Sequence, residues 1–152
     1  VFIGEMRDPE SMEAALTISE TGHLVFTTLH TNSASQTIDR IVDSFPEHQQ
    51  GQIRTQMSQD LEAIVSDRLI SSPTKGMVPA IELLIANTAI SNLIREGKTH
   101  QIRNAIATGG DLGMIPLDHS LAKLVNAGDI EFKDALAYSM NKDELRRLVS
   151  EK

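Results

Sequence analysis

Two short apolar runs, each ending on a residue able to do chemistry, constrain this chain more than any other feature. Residues 1–3 (Val1, Phe2, Ile3) run into Gly4 and Glu5, and residues 24–29 run into His30. The first run is apolar throughout, which suits a parallel strand buried on both faces. The second is rich in Val, Phe and Thr, the residues a pleated strand favours. Helix signals lie between them. Asp8 can cap, Pro9 suits the first helical position and Glu10 is acidic in the first turn. Met12, Ala15, Leu16 and Ile18 then recur at helical spacing until Thr21-Gly22 ends the segment. Strand, helix and strand in this order predict an α/β sheet domain.

The pattern continues for a while. Asn32 or Ser33 can cap a helix carrying Ile38, Ile41 and Val42, which Phe45-Pro46 breaks. A second helix is expected over residues 47–61, with Ile53 and Met57 on its apolar face. Residues 64–70 suit either a helix or a strand. Residues 77–85 read as a strand, with Pro79 marking an edge or an irregular start. After Ala86 the character changes. Short helices are predicted over 88–96, 100–107, 117–127, 132–138 and 142–149, punctuated by Gly109-Gly110, Gly113 and Gly128. The expected division is therefore an α/β part over 1–86 and a helical region over 87–152.

Composition closes off several classes. The net charge of −7 disfavours nucleic acid and anionic membrane at long range, and no basic patch offsets it. No nucleic-acid partner is expected. The absence of cysteine removes disulfides, thiolate chemistry and Cys-based zinc sites. No apolar run is long enough to span a bilayer. The chain opens inside a strand without an initiator Met, so further residues are expected before Val1 in a longer polypeptide.

In an open parallel sheet, ligands sit beyond the C-terminal ends of the strands. Glu5 and His30 are expected there. A carboxylate directly after a buried strand can hold Mg²⁺ through water or take a proton from an attacking water. A histidine at the next strand end can sense a phosphate and relay its loss. Plainer readings exist for the neighbours. Arg7 and Asp8 can form a local ion pair with a helix cap, and His23 can close the Thr21-Gly22 turn. Asp118 reads as a helix-start carboxylate, and its neighbour His119 diverges from it on a helix. Asp143, Glu144, Arg146 and Arg147 read as solvated local ion pairs.

Taken together, residues 1–8 (VFIGEMRD) and 20–32 (ETGHLVFTTLHTN) resemble the Walker B region and the His box of the type II/IV secretion ATPase superfamily. Residues 89–96 (AISNLIRE), with Gly109-Gly110, Leu112-Gly113-Met114 and Leu117-Asp118, resemble the branch that retracts type IV pili. That family usually carries an Arg where Ser91 stands. The assembly branch usually carries a tetracysteine zinc module.

The resemblance implies the later half of a RecA-like P-loop ATPase core followed by a small helical region. It implies ATP and Mg²⁺ as cofactors, with Mg²⁺ held through water near Glu5 and by no direct protein ligand. Glu5 and His30 would be the catalytic residues, and Gly4, Glu5 and His30 would lie against the nucleotide. Arg7, Asp8, His23 and Thr28 would belong to the motifs structurally. Ala89, Ile90, Asn92, Leu93, Ile94, Arg95 and Glu96 would couple turnover to retraction. Such motors are hexameric rings in the cytoplasm, docked on an inner-membrane platform protein at the base of the pilus machine. The Gly-rich phosphate loop with its Lys and Ser/Thr is absent from these 152 residues. The chain alone is therefore expected to be inactive. Two alternatives stay open: a pilus-assembly or type II secretion ATPase, and a non-catalytic domain that docks on a partner ATPase.

Overall fold

The computed structural model describes residues 1–150, so the last two residues of the expected 87–152 region lie outside the described residues. Helix and sheet are mixed. In chain order the elements are β1 (Phe2–Ile3), α1 (Pro9–Glu20), β2 (Phe26–Thr27), α2 (Ala34–Asp43), α3 (Glu47–Asp60), β3 (Ala63–Ser72), β4 (Gly76–Ile85) and α4 (Thr88–Arg95). There follow α5 (Ile102–Thr108), α6 (Leu117–Asn126), α7 (Phe132–Tyr138) and α8 (Lys142–Ser150), with single 3₁₀ turns before and after α5.

Local chemistry accounts for the helix starts. Asp8 accepts from the Ser11 backbone N–H at 2.8 Å with Pro9 in the first turn, and Ser33 accepts from Gln36 at 3.2 Å. Asn87 does the same for α4 through the Ile90 N–H at 2.9 Å. Each cap supplies an acceptor for a backbone donor that the helix cannot satisfy internally.

Among the described residues the strands form two separate two-stranded sheets, β1–β2 and β3–β4. β1 and β2 are parallel, with Phe2 opposite Phe26 and Ile3 opposite Thr27. Flanking backbone bonds lengthen this pairing: Phe26 donates to Val1 at 2.9 Å and Met6 to Thr28 at 3.1 Å. Burial on both faces is corrected. Phe2 is 73% and Phe26 61% exposed, because no other layer of the described residues covers that face. Ile3 and Thr27, on the opposite face, are half-buried.

The segment that suited either helix or strand is β3. Three residues join it to β4, far too few for a parallel crossover, so the pair is an antiparallel hairpin. Ser72 Oγ accepts from the Lys75 N–H at 3.2 Å in the turn, and Gly76 takes the positive φ of 78° that the turn requires. Pro79 sits well inside β4. The N–H groups of Ile81 and Leu83 reach Ser120 Oγ (2.9 Å) and the Ile115 carbonyl (2.9 Å). By the two-residue period, Pro79 places its missing donor on that same edge, away from β3, and costs the ladder nothing.

Two compact units result, and they interleave along the chain. One comprises Val1–Ile64 and Ile85–Ala105; the other comprises Val65–Leu84 and Ile106–Lys152. In the first unit α3 is the hub against which α1, α2 and α4 pack. Met12, Ile38, Ile53, Met57, Ile90 and Ile94 are buried in it. In the second, Ile70, Val78 and Ala80 of the hairpin pack on Leu117 and Leu121 of α6 and Leu145 of α8. The alternation of β4, inward at Val78, Ala80, Glu82 and Leu84, is the half-buried strand pattern.

Candidate functional site

The parallel pairing of β1 and β2 brings their C-terminal ends together. Glu5 leaves the end of one strand and His30 the end of the next, and Glu5 Oε1 lies 3.1 Å from His30 Nε2. These two residues are 25 positions apart in sequence, so only the strand register makes them meet. The backbone around Glu5 is clipped to β2 from two directions. Met6 N–H donates to the Thr28 carbonyl at 3.1 Å, and the Thr28 hydroxyl donates to the Gly4 carbonyl. Thr28 thus ties the backbone on both sides of Glu5 to β2.

Arg7 corrects the local reading. Its guanidinium pairs with Glu5 Oε2 at 2.7 Å instead of with Asp8, whose carboxylate is turned to the Ser11 N–H as helix cap. No local pattern in the sequence chose Glu5 over Asp8 as its partner: the two side chains meet across Met6, which is buried between them in the chain. The Arg7 hydrogen bond holds the Glu5 carboxyl below its ordinary range. Partial desolvation opposes the shift, and the charges of Arg7 and His30 add to it. Arg7 is raised in turn, chiefly by the same hydrogen bond.

His23 does not join this group. Its Nδ1 lies 3.0 Å from Thr21 Oγ1, beside the Gly22 turn. It precedes β2 while His30 follows it, about 20 Å apart at the rise of a strand. The helix α4 also divides. Ile90 and Ile94 are buried in the core of the first unit, Leu93 is half-buried, and Ala89, Asn92, Arg95 and Glu96 are exposed. Arg95 donates to Asn92 Oδ1 (3.1 Å) and Ser58 Oγ (3.3 Å), and Glu96 pairs with Lys98 at 2.7 Å. An open cleft of about 250 Å³, lined by Glu13, Thr17, Phe45 and glutamines of α3, contains none of the Glu5 group.

Asp118 is buried. It accepts from the Ser139 hydroxyl and from the Met140 (3.1 Å) and Asn141 (3.0 Å) N–H groups, which ties α6 to the turn between α7 and α8. Its role is structural, as expected, but no local pattern pointed to these partners.

Among the described residues no three His, Asp or Glu side chains converge to hold a metal ion directly. The Glu5–His30 pair suits an ion that draws most of its oxygens from phosphate and water. A depressed carboxylate, a histidine and an arginine at the ends of adjacent parallel strands are equipped to orient a water and respond to an anion.

Comparison with known proteins places the chain in a family. Residues 1–113 match the family described as "Type II/IV secretion system protein", and the chain belongs to it. It is 49% identical over 135 residues to the type IV pilus retraction ATPase PilT of Pseudomonas aeruginosa, covering 89% of this chain and 39% of PilT. It is 44% identical over 146 residues to a twitching motility protein of Neisseria gonorrhoeae, covering 95% of this chain and 39% of that one. A crystal structure of the pilus retraction motor PilT with bound ADP superposes with a TM-score of 0.85 at 49% identity. That match covers 96% of this chain and 41% of the motor. The chain thus spans about two fifths of the length of the relatives it matches.

Proposed function

We propose that this chain is part of the motor domain of a type IV pilus retraction ATPase. The observation that carries the reading is the meeting of Glu5 and His30 at the ends of two parallel strands, in a chain 49% identical to PilT. In this reading β1, α1 and β2 belong to a RecA-like core, residues 1–86 are its later half, and 87–152 are a helical region behind it. The phosphate-binding loop is supplied by sequence other than these residues. The PilT structure with bound ADP supports nucleotide binding, and in this reading the nucleotide lies next to Gly4, Glu5 and His30.

In this reading the geometry supports the following chemistry. Glu5 takes a proton from a water, whose oxygen bonds to the γ-phosphorus of ATP. The bond from that phosphorus to the β–γ bridging oxygen breaks, and its electron pair leaves with ADP. Bound Mg²⁺ would neutralise charge on the phosphates, held through water near Glu5. His30, 3.1 Å from Glu5 and highly exposed, is placed to exchange its carboxylate contact for a phosphate oxygen. His23 has a structural part at the far end of β2. Arg95 and Glu96 would be the coupling contacts on α4, with Ala89 and Asn92 beside them, while Ile90, Leu93 and Ile94 hold the helix in place. The assembled motor would be a homo-hexamer in the cytoplasm, docked on an inner-membrane platform protein. We expect its association with the membrane complex to be peripheral; no helix among the described residues is long and apolar enough to cross a membrane.

ATP turnover tests this. The full-length parent should hydrolyse ATP with Mg²⁺ present, while Glu5→Gln and the present chain by itself should not. A folded parent without turnover would sink the reading.

A further inference from the structure

The two carboxylate oxygens of Glu5 have different partners. Oε2 accepts from Arg7 at 2.7 Å, and Oε1 faces His30 at 3.1 Å. The two grips are unequal in kind. His30 comes from another strand, and its side chain is 87% exposed. Arg7 is only two residues from Glu5 on the same segment. That segment is pinned on one side by the Met6–Thr28 backbone bond and on the other by the Asp8 cap. Asp8 is committed to the Ser11 N–H, which leaves the Arg7 guanidinium directed to Glu5. A guanidinium stays charged at every working pH and presents fixed donors, so this grip persists when the histidine contact opens.

We propose that Arg7 is a positioning residue for hydrolysis: it anchors Glu5 through Oε2 and leaves Oε1, once His30 withdraws, as the oxygen that meets the water. The proposal rests on the motor reading given above. Arg7 acts on Glu5 and does not touch nucleotide. Its loss lets the carboxylate rotate out of line, which slows the chemical step and leaves nucleotide affinity alone.

The test uses the full-length protein, with turnover of Mg²⁺-ATP and affinity for a fluorescent ADP analogue measured for the parent, Arg7→Gln and Arg7→Lys. Arg7→Gln should lower kcat about ten- to a hundredfold, the range expected when a catalytic group loses its alignment. KM and ADP affinity should stay within about twofold, the pattern of an interaction that matters only in the transition state. Arg7→Lys should recover part of the loss, because it keeps the charge but not the fork. Three results overturn the proposal: unchanged kcat in Arg7→Gln, a loss confined to KM, or a lysine variant no better than glutamine. The Arg7 side chain is 78% exposed, so both variants should melt with the parent; two unfolded variants would make Arg7 structural and also overturn it. An active parent indifferent to Arg7 refutes only this proposal, whereas an inactive parent refutes the motor reading beneath it.

Discussion

Replacing Asp118 by Ala removes a buried carboxylate on which one corner of the second unit depends. Its oxygens accept from the Ser139 hydroxyl and from the N–H groups of Met140 and Asn141. Asn141 in turn caps α8, accepting from the Glu144 N–H at 3.2 Å through its side chain and from Leu145 at 3.0 Å through its carbonyl. Leu145 is fully buried with Leu117 and Leu121. The carboxylate therefore holds the turn, the turn starts the helix, and the helix delivers a core side chain. Each donor left without an acceptor costs about 1–3 kcal/mol when buried. Met140 and Asn141 are exposed at their side chains, so water can reach the vacated N–H groups, and the total should fall near about 2–4 kcal/mol. Asp118→Asn keeps one acceptor but sets an amide donor against another donor, so about half that loss is expected. Urea unfolding of the chain reads the loss as a lower midpoint at unchanged slope. Native-state hydrogen exchange at Met140 and Asn141 reads it locally, as faster exchange there. A change below about 0.5 kcal/mol in Asp118→Ala, the scale of an ordinary surface substitution, would refute the reasoning.

Ile94→Ala on α4 should cost about 2–5 kcal/mol, since Ile94 is 1% exposed and truncation leaves a cavity, whereas Glu96→Gln should melt with the parent. Thermal melts of both variants check this, and comparable losses would mean that α4 does not divide into a packing face and a contact face. The Glu5 carboxyl should titrate below an unpaired glutamate by carbon-13 NMR, and its midpoint should rise in Arg7→Gln. With the folded pKa depressed, the stabilising contribution is fully present above the ordinary value of about 4.3 and is lost as pH falls through the lowered one. An unmoved midpoint would show that Arg7 does not hold the carboxylate.

Much of the helical structure was legible before any coordinates. Asp8, Ser33, Phe45-Pro46 and the runs behind them mark helix ends through interactions within four residues, and the observed α1, α2 and α3 follow those marks closely. Strand positions were legible too, but their company was not. Residues 1–3 read as buried because they are apolar, yet Phe2 is 73% exposed, more than the other large apolar residues. Burial depends on which layers arrive from elsewhere, and no local pattern records that.

Residue types alone determined that Glu5 and His30 each close an apolar run, that Asp8 caps a helix, and that no cysteine chemistry is open to this chain. Tertiary structure alone decided that β1 lies parallel to β2 in the register that sets Glu5 against His30. It alone gave Arg7 to Glu5 and not to Asp8, and it seated Asp118 beneath a turn more than twenty residues away. Caps and breakers act over a few covalent bonds, so each carries its own instruction. A site made from two strand ends exists only after the long-range pairing has formed, because the contacts that define it are between residues the chain itself keeps apart.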